Sequence, residues 1–434
     1  MKKASTWAAL RNPGFRRLWI ATVISGTCVA AHDYAAIWMM NTLIASPFLI
    51  SLMSTLASLP FFLFTLPAGA LADRVNRQKL VSVINSCLAA PALALALLGW
   101  LHWLNPSLIL VSVFVIGVGF AFNAPAWTSM VPQVVSDAEL PSASSLGGLQ
   151  LSISGIVGPA LAALLVPFVG PNFIFALNAA CFLLVARASR QVQQLPVPQK
   201  LTSEKFLESF ARISRYVCSV HRVRVVLVRN FLFALFISAI PTLIPVVGLK
   251  VLHLNSSNLG LLFTSMGVGS VIGAVFIIPW LRARFSPDSV ILSANLLLVP
   301  VYMLLALIRQ TDLFFVAAAF AGMGWTISAS ELWVAAQRVM PNRARGRMNA
   351  TVIMISQGAM ALGGVIWGSA GAIAGVSSTL FGAAVLLLAS LFLARRLSIN
   401  FARNREKRGS GRLSTRAESI EVTPPARTIE LLAA

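Results

Sequence analysis

The chain has 434 residues, of which 57% are apolar and 11% charged, with a formal net charge of +21. Apolar blocks of about twenty residues, the length a helix needs to cross a bilayer core, recur along it, so a water-soluble globular domain is excluded. Backbone in lipid must pair within helices or a closed barrel, and unbroken rather than alternating apolarity excludes the barrel.

Met1 to Trp19 carries Lys2, Lys3, Arg11, Arg16 and Arg17 but no short apolar core with a small-residue cleavage site, so no removable leader is expected. Spans are predicted around Gly26, Leu59, Leu93, Val118, Ile156, Asn178, Phe236, Gly269, Leu298, Met323, Gly358 and Val385. This is an all-α membrane protein, its spans grouped as residues 1–190 and 225–397. Between them, residues 191–224 form a polar linker expected inside. Phe206, Phe210, Ile213 and Val217 recur there at helical spacing, with Lys205, Arg212 and Arg215 elsewhere around the helix. Such a helix suits either the headgroup layer or solvent. Residues 398–434 are Arg- and Ser-rich, include Pro424 and Pro425, and read as a disordered cytoplasmic tail.

An even number of spans returns both termini to one side. Of the 34 Lys and Arg residues, only Lys250 and Arg309 fall in the loops of the other side, while Arg229 sits at the mouth of span 7. Basic loops stay in the cytoplasm, so both termini are expected there and the positive charge is chiefly a topology signal, with nucleic-acid binding the lesser reading. Cys28, Cys87 and Cys181 lie in spans and Cys218 in the linker, suggesting packing rather than disulfides or a metal site. With no phosphate loop, no H-E-x-x-H, no C-x-x-C and four scattered histidines, an enzyme is not expected.

Gly69-Ala-Leu-Ala-Asp73-Arg74-Val-Asn-Arg77-Gln-Lys79, between spans 2 and 3, resembles the loop motif of the major facilitator superfamily. Gly117-Val-Gly119 in span 4 and Gly322-Met-Gly324 in span 10 echo each other at matching places in the two six-helix units. Phe15-Arg16-Arg17-Leu18-Trp19, Asn123-Ala124-Pro125-Ala126-Trp127 and Arg345-Gly346-Arg347 narrow the resemblance to the transmembrane secretion-effector branch, which includes macrolide-efflux-like and enterobactin-exporter-like proteins. The resemblance implies two pseudo-symmetric six-helix bundles that alternate access by rocking, in a bacterial inner membrane. It also implies a lock in which Asp73, supported by Gly69, Arg74 and Arg77, meets Arg345 and Arg347 at the start of span 11. Asn76 replaces the motif's inner glycine, a place where tolerance of left-handed backbone would preserve the turn. Gly158 and Pro159 in span 5 match the spacing of an antiporter motif, although close bundle packing explains them nearly as well.

Thirteen acids occur in the chain, and Asp33 and Glu331 are the two well within spans. An ionised carboxylate in hydrocarbon costs on the order of 3 kcal/mol, so each is expected to line water, find a partner or carry a proton. Asp33 is placed about seven residues, roughly 10 Å, from the outer end of span 1, and Glu331 about eight, roughly 12 Å, from the inner end of span 10. Both are candidate proton-coupling groups. Because spans 1, 4, 7 and 10 line the family's cavity, Asn123, Trp127, Arg229, Trp325 and Ser328 are candidate cargo contacts. His32 leaves the helix about 100° from Asp33 and reads as a packed histidine. The expected activity is export of an amphiphilic small molecule, siderophore or drug-like, by a monomer surrounded by membrane lipid. A proton gradient rather than a cofactor drives it. Uptake on the same scaffold and a transport-inactive sensor or docking protein are the alternatives.

Overall fold

The computed structural model describes residues 7–44, 46–72, 74–136, 138–191, 219–339, 345–395, 397 and 399. It is helical throughout these. After a short turn at Ala8–Arg11 come α1 (Pro13–Leu43), α2 (Pro47–Ala72), α3 (Arg77–Trp100), α4 (Pro106–Val134) and one element, Leu140–Arg190, bent at Gly170. The bend separates α5 (140–169) from α6 (171–190) with no loop: Gly170 adopts φ 76°, a left-handed value that costs any side chain, and Pro171 restarts the helix. The second half holds α7 (His221–Val251), α8 (Ser256–Arg284), α9 (Pro287–Leu307), α10 (Thr311–Val339), α11 (Arg345–Ala374) and α12 (Val376–Arg395).

Ten helices among the described residues are long and apolar enough to cross a membrane, and Val376–Phe392 is a shorter apolar one. Ser142–Arg190, with 49 residues, spans about 70 Å at a helical rise, more than twice a bilayer core, so its two arms are separate crossings. The count thus becomes twelve, six to each half. The linker helix expected within 203–220 and the tail lie outside the described residues except Ser219, Val220, Leu397 and Ile399.

Both halves place the start of α1 and the end of α12 at one end of the bundle, here the terminal end, with the tight turns after α1, α3, α7, α9 and α11 at the far end. One large buried cluster joins the halves, and it sits at the far end: Tyr34, Met40 and Ile50 from the first half pack with Ile240, Leu243, Leu259 and Trp367 from the second. Toward the terminal end, each buried cluster belongs to a single half among the described residues. Contacts between the halves run along α2/α11 and α5/α8. On α11, Gly368, Gly364 and Gly358 meet Ser51, Thr55 and Phe62 of α2 in turn, whereas Gly69, nearer the terminal end of α2, has nothing within 4 Å. Along α5 the pattern repeats: Gly260 and Gly267 of α8 rest on Pro159, Ala163 and Gly155, while Gly147 and Gly148 face open space. Among the described residues the halves therefore touch from the far end to mid-depth and part toward the terminal end.

Gly267 marks where they part. A Cβ there would fall 2.7 Å from the Gly155 carbonyl oxygen, closer than real carbon–oxygen contacts allow. Gly267→Val is expected to cost about 1–3 kcal/mol by overpacking this crossing and to lower the thermal unfolding midpoint of the purified protein.

Candidate functional site: a crevice between two helical bundles

α1 meets helices of both halves. Its Thr27, Ala30 and Ala31 receive Gly158 of α5, where the missing side chain lets the helices touch. Cys28 meets Cys181 of α6 with sulfurs 3.0 Å apart, and His32 packs on Phe175 of α6 with ring centroids 4.8 Å apart. Val29 joins a buried cluster with Leu88, Ile116 and Phe182. Tyr34 crosses to the other half and donates its hydroxyl to the Ser256 carbonyl at the start of α8. Asp33 is left on the face that none of these neighbours covers. It is exposed, and among the described residues it has no hydrogen-bond or ion-pair partner. The same face of α1 carries Gly26, two turns nearer the terminal end and against Gln150 and Ser154 of α5, and Met40, buried in the far-end cluster. α1 continues to Leu43, so Asp33 lies ten residues, about 15 Å, from the far end, deeper than the sequence reading placed it.

The seal beyond Asp33 is apolar and hydroxyl-based. Ser54 Oγ and Thr242 Oγ1 are 2.7 Å apart, Ser51 donates to the Thr242 carbonyl at 3.3 Å, Thr55 to the Ala361 carbonyl at 3.3 Å and Ser257 to the Ala163 carbonyl at 3.2 Å. Each of these bonds joins the two halves, and none involves a charge.

The second in-span acid is in a different setting. Glu331, 3% exposed on α10, accepts from Arg282 Nε of α8 at 2.5 Å, so its charge is compensated within the second half. Arg282 is itself 45% exposed at the terminal end. Arg229 is paired as well, with Asp288 at the start of α9, and donates to the Leu397 carbonyl at 3.1 Å. Asp288 also accepts the Ile399 N–H with both oxygens at 3.1 Å, tucking Ile399 into the cluster of Val223, Leu332 and Val352. A cavity lined by Arg229, Phe233, Asn295, Leu332 and Ser390 lies beside this clasp, inside the second half rather than between the halves.

The remaining candidate contacts do not converge on one point. Ser328 is fully buried and donates to Asn295 of α9 at 3.2 Å, and Trp325 packs against the far-end cluster. Asn123 and Trp127 are half-buried on α4: Asn123 accepts from Asn85 of α3 at 3.5 Å, and Trp127 packs with Leu18, Ala72 and Val81. Of the loop motif, Asp73 lies outside the described residues, as do the side chains of Arg345 and Arg347, which open α11. Arg74 and Arg77 flank the turn, with Arg77 Nε donating to the Ala72 carbonyl at 3.4 Å. Asn76 keeps ordinary extended backbone, φ −63°, and caps α3 by accepting from the Lys79 N–H at 3.1 Å, so the turn needs no left-handed residue. Gln78 bonds the Ser189 carbonyl at 2.8 Å, fixing α3 to the end of α6.

Two six-helix bundles meeting at one end, with a crevice between them, define a membrane transporter of the major facilitator type. The chain belongs to the transmembrane secretion effector family, whose model matches residues 4–427. It is 28% identical to macrolide efflux protein A of Streptococcus pyogenes over 178 residues, 41% of this chain and 43% of that protein. It is 23% identical to the enterobactin exporter of Citrobacter koseri over 268 residues, 61% of this chain and 63% of that one. The chain thus spans less than two thirds of the length of these curated relatives. Among solved structures, a bacterial homolog of the human lysosomal transporter Spinster in an inward-facing and occupied conformation superposes with a TM-score of 0.70 at 14% identity, covering 90% of this chain and 97% of that chain. A bacterial homologue of the iron transporter ferroportin in an inward-facing state gives 0.66 at 15%, covering 89% and 97%. At these identities the likeness is one of fold.

The Arg229–Asp288 clasp has no local signature in the sequence because its partners are 59 residues apart and sit on different helices. Asp288→Ala leaves a buried guanidinium unpaired and frees the Ile399 N–H, an expected loss on the order of 3 kcal/mol seen as a lower unfolding midpoint. The uncharged double variant Arg229→Met/Asp288→Leu should recover most of it.

Proposed function

We propose that the protein is a proton-coupled exporter of a cationic amphiphilic small molecule, set in a bacterial inner membrane with its terminal end in the cytoplasm. The observation that carries this reading is Asp33: an unpartnered carboxylate at the base of the crevice, one residue from the tyrosine that ties the far-end seal. When the halves close over it, an ionised Asp33 must lose its water, and a proton or a cationic cargo relieves that cost in turn. Exchange of the two on one carboxylate is an antiport. The basic loops at the terminal end support the orientation. Gly158 and Pro159 sit where α5 presses on α1 and α8, the contact that would carry the rocking.

Charge decides between the cargo classes suggested by the relatives. Glu331 and Arg229 are each paired within the second half, which leaves Asp33 as the unpaired charge described in the crevice. A strongly anionic catecholate siderophore would meet the negative charge of Asp33, whereas a basic macrolide-like molecule would find its counter-ion. Asn123 and Trp127 on α4 offer it an amide and a ring face. Asp73, Arg74, Arg77, Arg345 and Arg347 are assigned to the lock that forms when the terminal end shuts.

Cells expressing the protein in a macrolide-sensitive host are expected to accumulate several-fold less radiolabelled erythromycin than vector controls. A protonophore should remove the difference, and Asp33→Asn should behave as vector. Higher accumulation in expressing cells identifies an importer, and export that survives Asp33→Asn or the protonophore defeats the coupling.

A further inference from the structure

Four cysteines are scattered along the chain with no spacing that pairs them, yet the fold sets two of them against each other. Cys28 is the central residue of α1, fifteen positions from Pro13 and fifteen from Leu43. Cys181 stands at the centre of α6, ten positions from Pro171 and nine from Arg190. Each thiol is therefore at the middle of a membrane crossing. The Cys181 S–H donates to Cys28 Sγ across 3.0 Å, and the two residues are 5% and 4% exposed. A disulfide bond is about 2.05 Å long, so an approach of about 1 Å closes one.

Neighbouring contacts hold the two sulfurs face to face. One turn along α1 from Cys28, the His32 ring rests on Phe175 of α6. Val29 and Phe182, the residues next to the two cysteines, share a buried cluster with Leu88 and Ile116. Gly158 of α5 presses on Thr27, Ala30 and Ala31, and a Cβ on it would fall 2.5 Å from the Ala30 Cβ, so α1 has no slack to draw back from α6. Leu183, about 200° around α6 from Cys181, is 53% exposed. The face of α6 turned away from α1 thus meets lipid.

We propose that Cys28 and Cys181 form a redox-active dithiol, converted to a disulfide by organic hydroperoxides that dissolve in the membrane. Buried thiols are inert to reagents confined to water, and these two face a different reagent phase. One sulfur attacks the O–O bond of the hydroperoxide and becomes a sulfenic acid, its proton going to the alcohol that leaves. The other sulfur then displaces the sulfenic oxygen, which departs with the second thiol proton as water. Two thiols and one hydroperoxide give one disulfide, one alcohol and one water; the sulfurs are oxidised and the peroxide is reduced. Because the second sulfur waits in contact, the sulfenic acid is captured before it oxidises further. Glutathione, a charged thiol, does not enter hydrocarbon and so does not reopen the bond. The bridge ties α1 to α6 inside the first half and leaves the two halves unlinked.

Peptide mass mapping of the full-length protein in lipid nanodiscs, treated with cumene hydroperoxide and then denatured in excess N-ethylmaleimide, tests the pair. Most molecules should yield a peptide joined through Cys28 and Cys181, with loss of the maleimide adducts of both residues. Cys87, exposed on α3, should stay out of the bridge. The bridge should survive glutathione added before denaturation and open in dithiothreitol after it. Cys28→Ser, which keeps a small side chain, should abolish the joined peptide. Cys28 and Cys181 recovered as maleimide adducts or as separate sulfonic acids, a bridge from either to Cys87 or Cys218, or opening by glutathione in the folded protein overturns the proposal. None of these readings requires transport, so they stand apart from the coupling assigned to Asp33.

Discussion

A carboxylate cannot be dragged through a dry seal with its charge intact, and the rest of this structure is arranged around that constraint at Asp33. The residue sits about 15 Å below the far end, on the last uncovered face of α1 before Tyr34 reaches across to Ser256. Beyond it the halves are closed by alkyl side chains and a few hydroxyl–carbonyl bonds. Each such bond contributes about 1 kcal/mol net, so a seal of this kind opens without breaking any ion pair. What the seal does not tolerate is a bare charge, and on the proposed reading the state of Asp33 therefore governs movement.

The two bundles divide the electrostatic work. In the second, Arg282 neutralises Glu331 and Arg229 neutralises Asp288, and the latter pair also holds the chain after α12 through Leu397 and Ile399. These contacts are internal and stiffen that bundle as a unit. The first bundle keeps its in-span acid, Asp33, unpaired among the described residues. Glycines on α8 and α11 let the bundles approach closely from the far end to mid-depth.

Much of this was legible in the sequence, for physical reasons. Lipid demands long apolar helices, so the spans announce themselves, and the basic asymmetry of the loops indicates which ends lie together. The lone acids stand out because their surroundings are so poor in charge. Composition does not reveal pairings between distant segments. Glu331 and Asp33 look alike along the chain, and only folding brings Arg282, 49 residues before Glu331, against one and leaves the other open. Asn76 illustrates a local ambiguity, since a residue tolerant of left-handed backbone is also a good helix cap, and the cap is what α3 uses. The contact of α1 with α6 has no linear signature either, because Cys28 and His32 look like scattered residues until Cys181 and Phe175 pack against them.

The most direct test is to measure spin-label distances at both ends of the molecule at once, in a background whose native cysteines are replaced. The terminal-end pair is placed at the exposed positions Lys79 and Arg284, and the far-end pair at Trp103 and Ile373. As pH falls, the account predicts antiphase changes, one pair lengthening as the other shortens, with the pH dependence lost in Asp33→Asn. Distances that move in phase, or a pH response unchanged in Asp33→Asn, would contradict a carboxylate-governed rocking of two bundles.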